Sequence, residues 1–361
     1  MLRDFIGQAV RGEDLSADRM TQALELILSG RAKPSQVAAF LVALRLKGET
    51  VQEITAAAEV VRRYGPKVRV SDEVVVLDRD EINLDEETIN KVCALNGSGD
   101  TRTFNISTAS ALVAAGGGLK VAKFGSRAKS TFCGSANVVG ALGVNLDLTV
   151  TEVERCLEEV GLGFLYAHLF HTPLALATRV REEIGVRTIF NLVGPLTNPA
   201  GGRRQVLGVY LPERAGLMAQ VLGRLGVNEA LVVYGQDTQD ELSVTGPSLI
   251  TRLRGGAIEE YEVAPEDVGL ARARPEELRG GGAEENARLI REVIGGGDGA
   301  RRDVVLLNAG AAFLVSGRAR DLKEGLEMAR ESIDSGRARA KLDQLVAFTA
   351  QCGVYQHKDV S

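Results

Sequence analysis

The sequence predicts an α/β fold: a small N-terminal all-helical domain followed by a large α/β domain with a mostly parallel central sheet. Three observations carry that expectation. Apolar residues recur at three- and four-residue spacing through the first 65 positions, and short β-branched runs alternating with helical stretches follow. Glycines and small polar residues then collect just after several of those runs, where parallel sheets place ligands.

In the helical part, Met20, Leu24, Ile27 and Leu28 form one apolar stripe and Val37, Phe40, Leu41 and Leu44 a second. Gly30 and Pro34 separate these helices and Gly48 closes the second. Thr50 and Glu53 form a T-x-x-E capping box before a third helix that ends near Tyr64-Gly65. Strands are expected at Val74–Leu77, Leu119–Lys123, Gln205–Leu211, Ala230–Tyr234 and Val304–Leu307. The division falls at residue 66, with helices near 165–185 joining the N-terminal unit and residues 67–361 forming the larger one. Gly280–Gly282 and Gly295–Gly297, set among Arg, Glu and Ala, read as surface turns without chemistry. A final helix is expected near Ala338–Ala350.

Composition narrows the classes of function. The 361 residues are 45% apolar and 25% charged, as in an ordinary globular protein. Lys and Arg total 43 against 48 Asp and Glu, which leaves no global positive field to gather nucleic acid or an anionic membrane. Any phosphate site must be local. Cys93, Cys133, Cys156 and Cys352 lie far apart without a CxxC pair, so neither a zinc ribbon nor a disulfide framework is expected. The start MLRDFIGQAVRGED lacks the apolar stretch of a secretion signal, and no run of apolar residues is long enough to span a bilayer. A cytoplasmic enzyme is the expectation.

Four clusters can carry chemistry. The first runs from Asn96 through Gly97, Asp100, Thr103, Asn105, Ser107 and Thr108 into a helical stretch. Glycines let backbone N–H groups approach a phosphate, and the helix offers its positive end to an anion, although a solvated capping loop has the same composition. The second follows the expected strand Leu119–Lys123, where Lys123 and Arg127 bring charge and Ser126, Ser130, Thr131 and Ser135 bring hydroxyls, a donor set suited to pyrophosphate. The third holds His168 and His171, which could orient an organic substrate or serve structurally, since no further ligand for zinc is near. The fourth, after Ala230–Tyr234, contains Asp240-Glu241, an adjacent carboxylate pair of the kind that holds Mg²⁺.

These clusters, in this order, resemble the anthranilate phosphoribosyltransferase family. The resemblance rests on Asn105–Thr108 (NIST), Lys123–Arg127 in a KxGxR form, Gly134–Ala136 (GSA) and the run Arg187–Pro199 (RTIFNLVGPLTNP). Asp240-Glu241, Glu285-Asn286-Ala287 and Leu306–Ala309 also fit. It implies a homodimer that transfers 5-phosphoribose from phosphoribosyl pyrophosphate to the amine of anthranilate, a step of tryptophan synthesis. By motif position, Gly97, Asp100, Thr103, Asn105, Ser107, Thr108, Lys123, Ser126, Arg127, Ser130, Thr131 and Ser135 would hold the phosphates and ribose. Ser107, Asp240 and Glu241 would hold Mg²⁺, His168 and His171 would line the substrate site, and Arg181 would pair with the acceptor's carboxylate. Lys123 and Arg181 are the expected catalytic residues.

The chain departs from the family in its phosphate loop, Leu95–Asp100, and in reading KFGSR where the family has KHGNR. Phe124 in place of that histidine is expected to make the acceptor pocket more apolar. The departures leave two other readings open, a paralogue acting on another aromatic acceptor and a non-catalytic relative. A pyrimidine-nucleoside phosphorylase ranks lower, because such chains usually carry a further C-terminal domain.

Overall fold

The computed structural model describes residues 2–71, 73–79, 103–125, 134–166, 175–236, 238 and 240–353. Four helices come first: α1 (Leu2–Val10), α2 (Ala17–Leu28), α3 (Pro34–Lys47) and α4 (Val51–Tyr64). α2 and α3 match the expected stripes and α4 the expected capping box; α1, within the stretch read as helical, was not assigned as a separate element. The Thr50 capping box forms, with Thr50 N–H donating to Glu53 Oε2 at 2.8 Å. It does more than start a helix. Glu53 is wholly buried, and its carboxylate also accepts from Leu15 N–H at 2.8 Å and from Lys47 Nζ at 3.0 Å. One charged group therefore ties the α1–α2 turn and the end of α3 to the start of α4, with its charge paired and its oxygens satisfied.

Strands β1 (Val75–Arg79), β2 (Val121–Gly125), β3 (Leu162–Tyr166), β4 (Arg204–Gly208), β5 (Glu229–Gly235), β6 (Ser248–Arg254) and β7 (Ala257–Val263) form one sheet in the order β3-β2-β1-β4-β5-β6-β7. The first five are mutually parallel; β6 and β7 add an antiparallel hairpin at one edge. Between and after them lie α5 (Ile106–Gly116), α6 (Ser135–Ala141), α7 (Val150–Glu159), α8 (Ala175–Ile184), α9 (Ile189–Val193), α10 (Ala215–Arg224), α11 (Ala283–Ile294), α12 (Ala300–Val315), α13 (Leu322–Asp334) and α14 (Arg337–Ala350). Among the described residues no helix is long and apolar enough to cross a membrane.

One expectation is overturned. Val304–Leu307 is not a strand but the middle of α12, whose residues from Val304 to Val315 are all buried. A continuous apolar run has no periodicity to separate a buried strand from a buried helix. The same ambiguity hid β3, while the glutamates Glu259, Glu260 and Glu262 interrupt any alternation in β7 and mask its strand.

Helices α1–α4 share one apolar cluster with Ala177 and Val180 of α8, with Ile189, Phe190 and Val193 of α9, and with Met218 and Leu222 of α10. A second cluster joins α5, α11, α12 and α13 to the sheet. Within it α12 and α13 cross with their backbones in contact: a Cβ at Gly325 would lie 2.4 Å from the carbonyl oxygen of Gly310. This contact makes a signed prediction. Gly325→Ala gains at most about 1 kcal/mol of helix propensity and loses about 1–3 kcal/mol to overpacking, so it lowers stability. Gly216→Ala in α10, where nothing lies within 4 Å of the added carbon, raises it slightly. Urea unfolding midpoints of the two variants measure both signs, and a midpoint for Gly325→Ala at or above that of the parent chain would rule out the close crossing.

Candidate active site

In a parallel sheet all carboxyl ends share one edge, so the residues that follow β1, β2, β3 and β5 leave the sheet on the same side. The expected site segments occupy those positions in the sequence. Gly97, Asp100, Ser126, Arg127, Ser130, Thr131, His168 and His171 lie outside the described residues. The remaining expected residues are Thr103, Asn105, Ser107, Thr108, Lys123, Ser135, Arg181, Asp240 and Glu241.

Two strand-terminal glycines shape the edge. A Cβ at Gly208, the last residue of β4, would lie 1.8 Å from the carbonyl oxygen of Asp240. At Gly235, the last residue of β5, it would lie 2.2 Å from Thr238 Oγ1 and 2.4 Å from the carbonyl oxygen of Glu241. Only glycine at both positions lets the backbone carrying Asp240 and Glu241 lie flat against the strand ends. Thr238 Oγ1 closes the turn by donating to that Glu241 carbonyl at 2.6 Å.

From the other side Asn308, in the middle of α12, clamps Leu242. Its Oδ1 accepts from Leu242 N–H at 3.0 Å, and its Nδ2 donates to the carbonyls of Leu242 at 2.9 Å and Val304 at 2.8 Å. Glu241, thus held, accepts from the backbone N–H of Ser107 at 2.8 Å through Oε1. The structure therefore brings the NIST segment and the acidic pair together at the start of α5.

The donors gathered there are all oxygen. Asp240 and Glu241 are 4% and 2% exposed, and the Ser107 hydroxyl is buried without a hydrogen-bond partner among the described residues. Two carboxylates and a hydroxyl suit a hard cation such as Mg²⁺. Next to them Thr108 is fully buried, and its hydroxyl likewise has no partner among the described residues.

Lys123 is 1% exposed, and its Nζ stands 3.4 Å from the carbonyl oxygen of Leu77 on the neighbouring strand. Ser135 opens α6 with its Oγ 2.5 Å from where a Cβ of Gly125 would be, so the serine is packed on the end of β2. Thr103 pairs with Arg279 in an isolated bridge. Arg181 belongs to a different element, α8, with its guanidinium 6.0 Å over the ring of Phe190.

Phe124 does not behave as expected. Successive strand residues face opposite sides, and Phe124 packs into an apolar cluster with Leu148, Val153, Leu157 and Leu165. It is a core residue, and the inference that it makes an acceptor pocket more apolar falls with that placement.

The most specific sequence run turns out to build the frame. Asn198 Nδ2 donates to Asp78 Oδ2 at 3.0 Å, Asp78 Oδ1 accepts from Phe124 N–H at 3.0 Å, and Gln205 Nε2 donates to the Pro195 carbonyl at 3.0 Å. The run thus links β1, β2 and β4 beside Lys123. Sequence reasoning missed Asp78, Asn198, Asn286 and Asn308 as determinants. The motifs containing the last three were visible, but the amide partners of their side chains come from distant segments.

The chain is similar to proteins of known activity. Residues 3–65 match the family described as glycosyl transferase family, helical bundle domain, and residues 90–339 match glycosyl transferase family, a/b domain. The anthranilate phosphoribosyltransferase of Citrifermentans bemidjiense is 48% identical over 349 residues, 97% of this chain and 99% of that one. That of Symbiobacterium thermophilum is 49% identical over 348 residues, covering 96% and 98%. The crystal structure of the Thermus thermophilus enzyme superposes with a TM-score of 0.86 at 39% identity, covering 96% of this chain and 99% of its own. The Saccharomyces cerevisiae enzyme in complex with PRPP and Mg superposes at 0.83 with 26% identity, covering 97% and 98%.

Because Asn308 satisfies both backbone groups of Leu242, its removal should be costly. Asn308→Ala leaves a buried N–H and a buried carbonyl unpaired, at about 1–3 kcal/mol for each. Denaturant unfolding should register that loss; an unchanged midpoint would mean that the amide does not hold the acidic segment.

Proposed function

Because the chain belongs to the anthranilate phosphoribosyltransferase family, we infer that it transfers 5-phosphoribose from phosphoribosyl pyrophosphate to the amine of anthranilate, releasing pyrophosphate. The observation that carries the reading is the junction of Ser107 with Glu241, which sets a helix start, hydroxyls and two carboxylates around one point at the carboxyl edge of the sheet. The cofactor is Mg²⁺, held by Asp240 and Glu241 with the Ser107 hydroxyl, and it would supply charge neutralisation at the pyrophosphate.

The chain's own residues do the positioning. Asn105, Ser107 and Thr108 donate to phosphoryl and ribose oxygens from the first turn of α5, where the helix end adds partial positive charge. Lys123, buried beside that turn's strand, offsets charge on the departing pyrophosphate as positive character develops at the anomeric carbon. Arg181 takes the acceptor's carboxylate in a two-pronged guanidinium contact. Holding the amine in line with the anomeric carbon then supplies much of the acceleration through orientation.

The four N-terminal helices with α8 form the unit through which two copies pair, and the enzyme works in the cytoplasm. Support for pairing comes from α3, which exposes Leu46 at 82% beside α1, where Val10 is 70% exposed.

Pyrophosphate release from phosphoribosyl pyrophosphate, Mg²⁺ and anthranilate tests the reading, with other aromatic amines as controls. Release that fails with anthranilate but proceeds with another amine would reassign the acceptor. Within that assay Lys123→Ala raises the KM for phosphoribosyl pyrophosphate and Arg181→Ala raises that for anthranilate, each by about tenfold or more if a charged hydrogen bond is lost. Glu241→Gln shifts the Mg²⁺ dependence to higher concentration, and an unaltered dependence would remove Glu241 from the metal site.

A further inference from the structure

Asn105 is held by a strap from the far end of the sequence. Phe104 N–H donates to the Leu278 carbonyl at 3.1 Å, and Gly280 lies so close that a Cβ there would be 2.7 Å from Phe104 Cα. The strap that sequence reading took for a featureless turn is thus packed on the Phe104–Asn105 backbone. The next residue, Gly281, donates its N–H to Asn286 Oδ1 at 2.7 Å, and Asn286 Nδ2 donates to Asn105 Oδ1 at 2.9 Å. Both asparagines are more than nine-tenths buried.

This chain of bonds has a direction. A side-chain amide is nearly symmetric in shape, so which end donates must be fixed by its partners. Gly281 N–H can only donate, so the Asn286 atom facing it is the oxygen. The other end of Asn286 is then the NH₂ group, which can only donate, so the Asn105 atom facing it is the oxygen. The NH₂ group of Asn105 is consequently the end turned away from Asn286.

We propose that Asn286 is a positioning residue that sets the polarity of the Asn105 amide, so that Asn105 meets a phosphorylated substrate as an N–H donor. The inference rests on the reading of Asn105 as a contact to phosphoribosyl pyrophosphate. An amide free to turn would spend part of its time presenting its oxygen to an anionic oxygen, acceptor against acceptor. With the polarity fixed by a backbone N–H two bonds away, that orientation costs an unmade hydrogen bond in a buried place. Asn286 itself needs no contact with substrate.

The test compares Asn286→Asp with Asn286→Ala by calorimetric titration of phosphoribosyl pyrophosphate with Mg²⁺, alongside kcat and KM. The aspartate still accepts from Gly281 N–H but presents only acceptors to Asn105, which must turn its NH₂ group inward and its oxygen toward the phosphate. Polarity control therefore predicts that the near-isosteric Asp variant binds more weakly than the Ala variant, by about tenfold or more relative to the parent. The loss appears in KM more than in kcat. A merely structural brace predicts the reverse order, because Ala loses both bonds and Asp keeps one; that order overturns the proposal. Asn105→Ala separates the premise from the inference. If its affinity equals that of the parent, Asn105 is not a substrate contact and the proposal falls with that assignment. If it binds weakly while Asn286→Asp binds as well as Asn286→Ala or better, only the proposal falls. Should the Asp variant not fold, Asn286→Ala with parental affinity for the substrate overturns it.

Discussion

The site depends on a backbone approach that side chains would forbid. Gly208 and Gly235 end adjacent parallel strands, and the Asp240 and Glu241 backbone lies on them at distances no Cβ tolerates. With the Asp240-Glu241 backbone down, the pair stands at the carboxyl edge with little freedom, and the N–H of Ser107 meets Glu241 at 2.8 Å. Alanine at either glycine would lift the acidic pair and break its bond to α5. Glycine's entropic cost on folding is offset here by precise placement of two carboxylates.

The opposite edge of the sheet is finished differently. Arg204 and Glu229, register partners at the amino ends of β4 and β5, approach to 3.4 Å, and Arg252 Nη2 reaches Glu229 at 2.5 Å. Glu73 adds a 2.7 Å pair to Arg204, whose Nη1 also donates to the Val315 carbonyl at 2.9 Å. These charges neutralise one another within the fold. At the carboxyl edge Asp240 and Glu241 are adjacent carboxylates, and like charges so placed favour a nearby cation.

What the sequence made legible follows from range. The stripes of α2 and α3 and the Thr50–Glu53 box that opens α4 are local patterns, and the strands at β1, β2, β4 and β5 are bounded by turn residues. The site was legible where its residues share a segment, as in Asn105–Thr108 or Asp240-Glu241. It was illegible where one partner lies far away: Asn286 is 181 residues from Asn105, and Asn308 is 66 from Leu242. Phe124 misled because a motif position says nothing of which strand face it occupies, and Val304–Leu307 misled because an apolar run carries no period. Gly280 misled because nothing local distinguishes a glycine needed for close approach from one in a loose turn.

Asn198, Asn286 and Asn308 show how such distant constraints are encoded. Each is a short amide that satisfies groups contributed by separate elements, and each lies in a buried place where a missed bond is costly. A hydroxyl could not bridge two backbone groups at this spacing with defined donor and acceptor ends, and a carboxylate would oppose the carbonyls of Leu242 and Val304. The amide therefore suits these places on geometry and polarity together. The same reasoning explains why the run from Arg187 to Pro199 is so distinctive: it anchors β1 and β2 around Lys123, with Asn198 donating to Asp78 and to the Ala122 carbonyl and Asp78 accepting from Phe124 N–H. In this fold, sequence specificity measures how many separate elements a side chain must satisfy at once, and the chemical groups are the simpler part of the requirement.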